Sequence, residues 1–217
     1  MDRRNSAHAL ATTDPVFAGL LDRNGEPPQW RRTPSFGTLV RLILEQQVSL
    51  ASAQAAYLRL VDRIGEPQPD AFLTLGDEEL KSIGFSRQKT RYVRGISTRI
   101  IDGSLDLVRV GASREAGQAE LLSVTGIGPW TTACYFLFVV GDGDIWPSGD
   151  RALYVSMARN LSLDEVPGAA VGDAIADSWS PYRSTAARML WHDYLGGREY
   201  VEDQNAGFAG ETGKVSG

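Results

Sequence analysis

The amino-acid sequence predicts an all-α protein, and three observations support this prediction. Apolar residues recur at the three- and four-residue spacing of a helix through most of the chain, and no stretch alternates convincingly enough for a β-sheet. Capping residues or prolines open several of these segments, and glycines follow some of them. With 217 residues, 42% of them hydrophobic, the chain can bury the core of one large domain or of two small helical lobes with a central cleft.

The first half of the chain is predicted to contain helices joined by polar corners. Residues 1–33 are interrupted by prolines and favour one short helix, at about residues 16–21. Ser35 is a candidate N-cap for the next helix, and Ser49 for the one after the polar corner at residues 45–49. Further helices are predicted to begin at Asp77, Ser86 and Ser113, and the last of these leads into a hairpin.

The second half continues the same pattern after Asp150. Apolar residues follow helical spacing as far as Leu161, and a connector lies near Pro167. A short helix is predicted at about residues 172–178, and the last helix opens with Ser180 and a first-turn proline. The tail after Gly197 is Gly-rich and polar, which is typical of disordered termini.

The hairpin at residues 121–136 is the segment around which the rest of the chain is organised. Gly126 and Gly128 permit a tight turn with positive φ, and Pro129 pre-sets the first residue of the following helix. The first free N–H groups of that helix point out of the hairpin, where the helix dipole and the missing side chains favour a phosphate. The hairpin is therefore predicted to clamp a phosphate group.

A lone acid, Asp150, ends the loop that follows this helix. A fixed carboxylate in a dry site stabilises positive charge on a reacting carbon, and it can also orient or deprotonate a water molecule. An aspartate directly before a helix is also a common N-cap. Spacing alone leaves both roles open.

These motifs together resemble the helix-hairpin-helix DNA glycosylases. The matching residues are Gly126-Ile127-Gly128-Pro129, then Trp130-Thr131, then the loop Pro147-Ser148-Gly149-Asp150. Within that superfamily the chain is most similar to the alkylpurine type, 3-methyladenine DNA glycosylase II. The resemblance runs from about residue 34 to residue 195, which is most of the chain.

The resemblance implies a fold and a function. The fold is two-lobed, has a central cleft lined by the hairpin and Asp150, and lacks the N-terminal sheet subdomain of larger relatives. The function is that of a monofunctional glycosylase, which flips alkylated purines such as 3-methyladenine out of double-stranded DNA and hydrolyses the N-glycosidic bond in base excision repair. The implied organisation is an N-terminal extension at 1–33, a glycosylase domain at 34–196 with its hairpin at about 121–140, and a flexible tail at 197–217.

The resemblance also implies roles for single residues. Asp150 is the expected catalytic carboxylate, and Trp130, Trp191 and Tyr135 are the expected base pocket, because an alkylated purine is cationic and attracted to electron-rich rings. Large aromatic residues at helical spacing are also common in cores, which leaves that alternative open. The implied DNA-binding residues are Gln47, Thr125, Gly126, Gly128 and Thr131, and the implied ligands of a structural Na⁺ or K⁺ are the backbone carbonyls of Leu122, Val124 and Ile127.

Gln47 falls at the corner where relatives insert a side chain into the gap left by the flipped nucleotide. The best-known relatives use leucine there, and an amide fills the gap less well, although it can replace lost base-pair hydrogen bonds. Alternatively, Gln46 and Gln47 are simple capping groups.

Charge and composition restrict the possible functions. The net charge of −5 argues against binding nucleic acid through bulk positive charge. One stretch has a local excess of cations without any acid, and it is predicted to be either a DNA-facing surface or an ordinary solvated helix face. Its six cations are Lys81, Arg87, Lys89, Arg91, Arg94 and Arg99.

Cys134 is the only cysteine, which excludes an internal disulfide and a four-cysteine iron–sulfur cluster. Cys134 is predicted to be a buried core residue.

Bifunctional members of the superfamily place a lysine nucleophile just after the hairpin, and Trp130 occupies that position here. No lysine lies between Lys89 and Lys214, so no lyase step is expected, and no cofactor is required. The N-terminus lacks the apolar core of a signal peptide, and no apolar run has membrane-spanning length, which predicts a cytoplasmic, nucleoid-associated protein without membrane partners. The protein is also expected to be a monomer.

Two other functions remain open at the level of sequence. A non-catalytic module would use the hairpin only to hold DNA, and it would not need Asp150 or the aromatic set. A glycosylase for a deaminated or mismatched base would need hydrogen-bonding groups in its pocket, because such a base is neutral.

Overall fold

The computed structural model describes residues 3–197, 201–203 and 207–209. The helices are α1 (Arg3–Thr13), α2 (Pro15–Asn24), α3 (Phe36–Glu45), α4 (Leu50–Ile64), α5 (Pro69–Leu73), α6 (Asp77–Ile83), α7 (Arg87–Ile101), α8 (Leu107–Val110), α9 (Arg114–Leu122), α10 (Pro129–Tyr135) with a π-helical continuation (Phe136–Val140), α11 (Arg151–Asn160), α12 (Ala169–Asp177) and α13 (Arg183–Tyr194). Two three-residue strands, β1 (Val201–Asp203) and β2 (Gly207–Ala209), pair antiparallel.

The all-α prediction is confirmed for the body of the chain. Residues 3–197 contain no strand. The described N-terminal residues therefore form helices and not the sheet subdomain that the resemblance ascribes to larger relatives. The short β1–β2 hairpin lies in the segment predicted to be a flexible tail, most of which falls outside the described residues. None of the described helices is both long and apolar enough to cross a membrane.

The chain divides into two compact units, in agreement with the prediction of two helical lobes. Unit 1 consists of Met1–Arg31 and Pro129–Glu199, and unit 2 of Arg32–Gly128 and Tyr200–Gly217. The division assigns the N-terminal residues to the same unit as Asp150, and it separates the hairpin glycines from the helix that follows them.

Three helices of unit 2 begin directly after serines that the sequence predicted as caps, whereas the short helices α5 and α8 were not predicted. Ser35, Ser49 and Ser86 each accept a backbone N–H three residues further on, so all three serine caps are confirmed. Its interior contains Phe72, whose ring packs edge-on against those of Phe36 and Phe85 at centroid distances of 6.0 and 5.4 Å.

Unit 1 contains two N-terminal helices where one was predicted. Asp14 separates them, because its carboxylate accepts the N–H of Val16 at 2.9 Å and Pro15 occupies the first turn of α2. The first helix has little apolar periodicity, but it buries Ala7 and Leu10, and it packs against α2 and α13. Tertiary packing therefore stabilises a helix that the local pattern did not reveal.

Candidate active site

The carboxylate of Asp150 lies at the start of α11 and accepts three N–H groups of unit 1. Oδ1 accepts the backbone N–H of Leu153 at 3.0 Å and the indole Nε1–H of Trp191 at 3.2 Å. Oδ2 accepts the indole Nε1–H of Trp130 at 2.9 Å. Asp150 is therefore an N-cap, as one alternative predicted, but capping accounts for only one of these bonds.

This bonding pattern holds the carboxylate in one orientation. An ionised carboxylate offers about four lone-pair positions, and the two indoles and the cap use three of them. Because Asp150 is only half-buried, the remaining position can meet a water molecule or a positively charged group. The arrangement is that of a preorganised anionic site rather than of a cap alone.

Trp191 is backed by two aromatic residues that the sequence analysis did not single out. The ring of Phe138 stacks on it with centroids 5.5 Å apart and planes 27° from parallel, and the ring of Trp30 meets it edge-on at 6.4 Å. Phe138 belongs to an apolar run whose pattern indicates only a buried core. Trp30 lies in residues 1–33, which the sequence predicts to be an N-terminal extension outside the glycosylase domain. Trp191 itself remains half-buried, as does Trp130.

Tyr135, which was predicted to line the base pocket, is fully buried and therefore gives no support to that role. Its ring has no exposed surface and lies in the packed interior of unit 1, beside Phe136, because the residues of α10 after Trp130 turn inward. Thr131 is also buried, with 2% of its surface exposed, so little of its side chain is accessible for the predicted contact with DNA. Cys134 is a buried free thiol, as predicted.

The two hairpin glycines, Gly126 and Gly128, differ in backbone conformation and in the space around their Cα atoms. Gly126 has a φ of 97°, and a Cβ there would overlap the ring of Tyr92 on α7. Gly128 does not have a positive φ, which corrects the prediction for that residue, and a Cβ there would meet nothing within 4 Å. Gly126 is therefore required by the fold, whereas the open space at Gly128 is available to a ligand.

The expected cation ligands lie at the end of α9 and in the turn that follows it. The carbonyl oxygen of Val124 accepts the N–H of Ile127 at 3.0 Å, which uses one of its two lone pairs. Leu122 is exposed, and Thr125 is exposed at the tip of the turn. Within the described ranges, no group of three His, Cys, Asp or Glu side chains is placed to hold a metal ion.

The corner between α3 and α4 is tied to the hairpin within unit 2. The amide Nε2 of Gln46 donates to the carbonyl oxygen of Gly126 at 2.9 Å, and Lys89 Nζ donates to the carbonyl oxygens of Leu44 and Gln46 at 2.7 and 3.0 Å. Burial lowers the pKa of the Lys89 ammonium. Gln47 is left exposed in the left-handed region at φ 57°, so the two glutamines have different environments.

Four of the six residues of the predicted basic face make contacts within the protein. Arg94 pairs with Asp77 at 2.6 Å, and Lys81 lies 3.8 Å from Glu78. Arg99 donates to the carbonyl oxygen of Ser123 at 3.3 Å, and Lys89 binds the carbonyls described above. The exposed cations among the six are Lys81, Arg87 and Arg91.

Residues 3–197 form helices without strands, and they contain a glycine hairpin followed by a helix-capping aspartate that binds two tryptophans. These features define a helix-hairpin-helix protein with a candidate catalytic carboxylate. The model of the HhH-GPD superfamily of base excision DNA repair proteins matches residues 40–194. The chain belongs to this superfamily.

Two relatives show how far the similarity extends in sequence. YfjP of Bacillus subtilis, which bears the provisional name of a DNA-3-methyladenine glycosylase, is 29% identical over 165 residues, and the match covers 72% of this chain and 58% of YfjP. The alkylbase DNA glycosidase-like protein mag2 of Schizosaccharomyces pombe is 22% identical over 201 residues, which cover 88% of this chain and 93% of mag2. The chain thus spans little more than half of YfjP.

Three solved structures share the fold. The 3-methyladenine DNA glycosylase Mag1 of S. pombe, in complex with abasic DNA, superposes with a TM-score of 0.79 at 21% identity, covering 90% of this chain and 99% of Mag1. A DNA-3-methyladenine glycosidase from Bacillus halodurans gives 0.69 at 26% identity over 87% and 88% of the two chains. The 8-oxoguanine glycosylase/lyase of Clostridium acetobutylicum, with DNA, gives 0.76 at 16% identity over 90% and 70%.

Proposed function

We propose that the protein is a monofunctional DNA glycosylase that excises alkylated purines, such as 3-methyladenine, from double-stranded DNA. The observation that supports this most directly is the carboxylate of Asp150, which two indole N–H groups and a helix N-terminus hold in place. A module that only holds DNA has no use for such a group. Superfamily membership and relatives named as 3-methyladenine glycosylases support the same proposal.

The chemistry proposed for Asp150 is stabilisation of a sugar cation. When the N-glycosidic bond breaks, the base takes the bonding electrons and the sugar carbon becomes positively charged. A fixed carboxylate stabilises that charge without reorganising, and its remaining acceptor position can orient the attacking water. The water oxygen then bonds to the sugar carbon, and its proton leaves to the carboxylate or to solvent.

The proposed substrate is an alkylated purine because of the rings beside Asp150. Such a base is already cationic, so it leaves without a general acid, and it is attracted to the face of an indole. Trp191 is half-buried and stacked on Phe138, which holds its ring in place. The indole N–H of Trp130 donates to the other oxygen of the same carboxylate. The flipped base is therefore proposed to bind against these tryptophans.

We also propose that the enzyme does not cut the DNA strand. The fold itself is compatible with lyase chemistry, since one structural neighbour is a glycosylase/lyase. In this chain, however, Trp130 occupies the position of the lysine nucleophile and is bound to Asp150. Lys89 is engaged by two backbone carbonyls. Neither position offers a free amine for a Schiff base.

DNA is proposed to bind at the hairpin and at the exposed corner carrying Gln47. Open space at Gly128 lets a phosphate approach backbone N–H groups, and the exposed Gln47 is available to occupy the gap left by the flipped nucleotide. Hard carbonyl oxygens suit an alkali cation. The backbone carbonyls proposed to bind one are those of Leu122, Val124 and Ile127, and the positive charge of the cation would favour a nearby phosphate.

The protein is proposed to act as a monomer on the chromosome in the cytoplasm.

The test is release of free bases from alkylated DNA by the purified protein and by Asp150→Asn. Asparagine keeps an oxygen that caps a helix about equally well, but it lacks the charge, so the single-turnover rate should fall at least ~100-fold. Stability should hardly change, and binding of DNA should persist or tighten, because one negative charge near phosphates is removed.

Excision of 3-methyladenine by Asp150→Asn at nearly the wild-type rate would contradict the proposed mechanism. Wild-type protein that binds DNA but releases no base would favour the non-catalytic module. Release of only neutral deaminated or mismatched bases would favour the third possibility.

A further inference from the structure

The loop that leads into Asp150 is held by a side chain that has no part in the chemistry proposed above. Asp173 on α12 accepts three hydrogen bonds, from Trp146 Nε1 at 3.0 Å, Ser148 Oγ at 2.6 Å and the phenol of Tyr154 at 2.7 Å. Two of these donors belong to the loop, and the third lies one turn into α11. Both oxygens of Asp173 are used.

Tyr154 extends this network to the residue directly before Asp150. Its hydroxyl accepts the backbone N–H of Gly149 at 2.8 Å, and Gly149 has a φ of 82°, which favours glycine. Burial raises the pKa of the Tyr154 phenol, and the hydrogen bond to Asp173 adds to the rise. The phenol therefore stays protonated and donates to Asp173 while it accepts from Gly149.

Close packing of α12 brings Asp173 to the loop. Gly172 is buried, and a Cβ at this residue would lie 2.5 Å from Cε1 of Tyr154. The absence of a side chain at Gly172 lets α12 approach α11, and the next residue then reaches the loop. Trp146 is also held by the ring of Trp179, edge-on at 5.6 Å.

We propose that Asp173 is a positioning residue for catalysis: its carboxylate sets the conformation of residues 146–149 and thereby places Asp150 against the base pocket. This inference rests on the proposed function of Asp150. Trp146, Ser148 and Tyr154 all donate to the one carboxylate of Asp173. If that acceptor is removed, the three donors lose their partner, and we expect the loop that carries Asp150 to rearrange. A displacement of about 1 Å at a catalytic group can cost ~100-fold in rate.

Two substitutions at Asp173 separate positioning from charge. Asp173→Ala removes every acceptor, and it should lower the single-turnover excision rate ~100-fold. Asp173→Asn keeps one oxygen for Trp146 and Tyr154 and places an amide N–H against Ser148 Oγ, which can accept it. The asparagine variant should restore most of the rate, to within about threefold of wild type, because the network survives without the charge.

A matched control is Asp177→Ala. Asp177 is an exposed carboxylate on the same helix and forms one ion pair, with Arg183. This variant should excise at the wild-type rate. Affinity for DNA that contains an abasic site should be unchanged in all three variants, so that a loss appears in the chemical step alone. Each rate is corrected for the fraction of active protein.

A second measurement does not depend on activity. The chain has five tryptophans, whose indole N–H resonances can be assigned by single Trp→Phe changes. The resonances of Trp130 and Trp191 report the hydrogen bonds to Asp150. They should shift in Asp173→Ala and stay in place in Asp173→Asn and Asp177→Ala.

The two proposals fail in different ways. An Asp173→Ala variant whose corrected rate and indole resonances match wild type overturns the positioning role, even if its melting temperature falls. Equal loss in Asp173→Ala and Asp173→Asn overturns it as well, since charge would then be the cause. A fast Asp150→Asn enzyme removes the proposed chemistry instead, and the indole shifts still decide whether Asp173 places Asp150.

Discussion

Trp191 makes two separable contributions, because its N–H donates to Asp150 and its face stacks on Phe138. Trp191→Phe keeps a ring and loses the donor, whereas Trp191→Ala loses both. A desolvated cation–π contact is worth up to ~2 kcal/mol. We therefore expect excision of methylated purines to be about tenfold or more slower in the alanine variant than in the phenylalanine variant.

Loss of folding must be separated from loss of the ring face. Replacing a well-packed tryptophan with alanine can cost ~3 kcal/mol of stability, so melting temperatures are measured beside the rates. An alanine variant that melts early but keeps activity in proportion to its folded fraction would show that Trp191 is structural.

The two hairpin glycines should respond differently to substitution. Gly126→Ala combines a positive φ, which costs roughly 1–2 kcal/mol for other residues, with overlap of the Tyr92 ring, so it should destabilise the fold. Gly128→Val meets open space and should fold normally, but it should weaken binding to all DNA sequences alike. Thermal melts and binding titrations on two unrelated duplexes measure these effects.

Rescue provides the control for Gly126. Tyr92→Ala in the Gly126→Ala background should restore the part of the stability that is lost through overlap. Gly128→Val protein with wild-type affinity for DNA would contradict the phosphate clamp.

At the level of elements, Asp144 joins the loop before α11 to the start of α13. Its carboxylate accepts Arg183 Nε at 2.8 Å and Arg183 Nη2 at 2.9 Å, and it accepts Ser180 Oγ at 3.0 Å. Burial alone raises the pKa of Asp144, but the bonds from Arg183 and Ser180 outweigh it and leave the pKa below its ordinary value. The ionised side chain therefore stabilises the folded state.

This linkage predicts a definite pH dependence. Because the folded pKa lies below the unfolded one, the stabilisation is present above about pH 4 and is lost as the pH falls through the folded pKa. Asp144→Asn should lower the free energy of unfolding by roughly 2 kcal/mol at pH 7 and by progressively less in acid. Urea unfolding of both proteins from pH 7 to pH 3 measures it, and a difference that is constant with pH would contradict it.

At the level of the whole molecule, charge determines how DNA binding responds to salt. The net charge is −5, and four of the six clustered cations make contacts within the protein. Binding should therefore rely on hairpin N–H groups and few side-chain cations. The plot of log affinity against log salt concentration should be shallower than a slope of about −5, since each neutralised phosphate contributes about −0.9.

Fluorescence anisotropy with a labelled duplex at several salt concentrations measures this slope. A value that corresponds to about ten phosphates would show that side-chain cations dominate binding. In that case charge-reversal variants would identify cations that contribute to binding in addition to Lys81, Arg87 and Arg91.

Local patterns in the sequence predicted much of the fold. The serine caps at Ser35, Ser49 and Ser86 lie where they were expected, because a cap bond reaches only three residues along the chain. The N-cap at Asp150 follows from the same rule. The glycine turn at Gly126 is also local, since it depends on a backbone angle of one residue.

The candidate site was only partly predictable, because its neighbours are far apart in sequence. Asp150 and Trp130 could be named from a motif, but no spacing rule brings Trp30 to Trp191 or Asp173 to Ser148. Those contacts exist because helices and loops from distant parts of the chain pack together.

The sequence by itself therefore determined the helical class, most caps and the turn at Gly126, since these depend on interactions within a few residues. Only the tertiary structure decided which aromatic residues stay accessible: Trp191 remains half-buried, whereas Tyr135 is fully enclosed. It likewise decided that Lys89 binds backbone carbonyls and that Thr131 points into the core. Exposure and hydrogen-bond partners depend on how separate helices pack, and a one-dimensional pattern does not specify that packing.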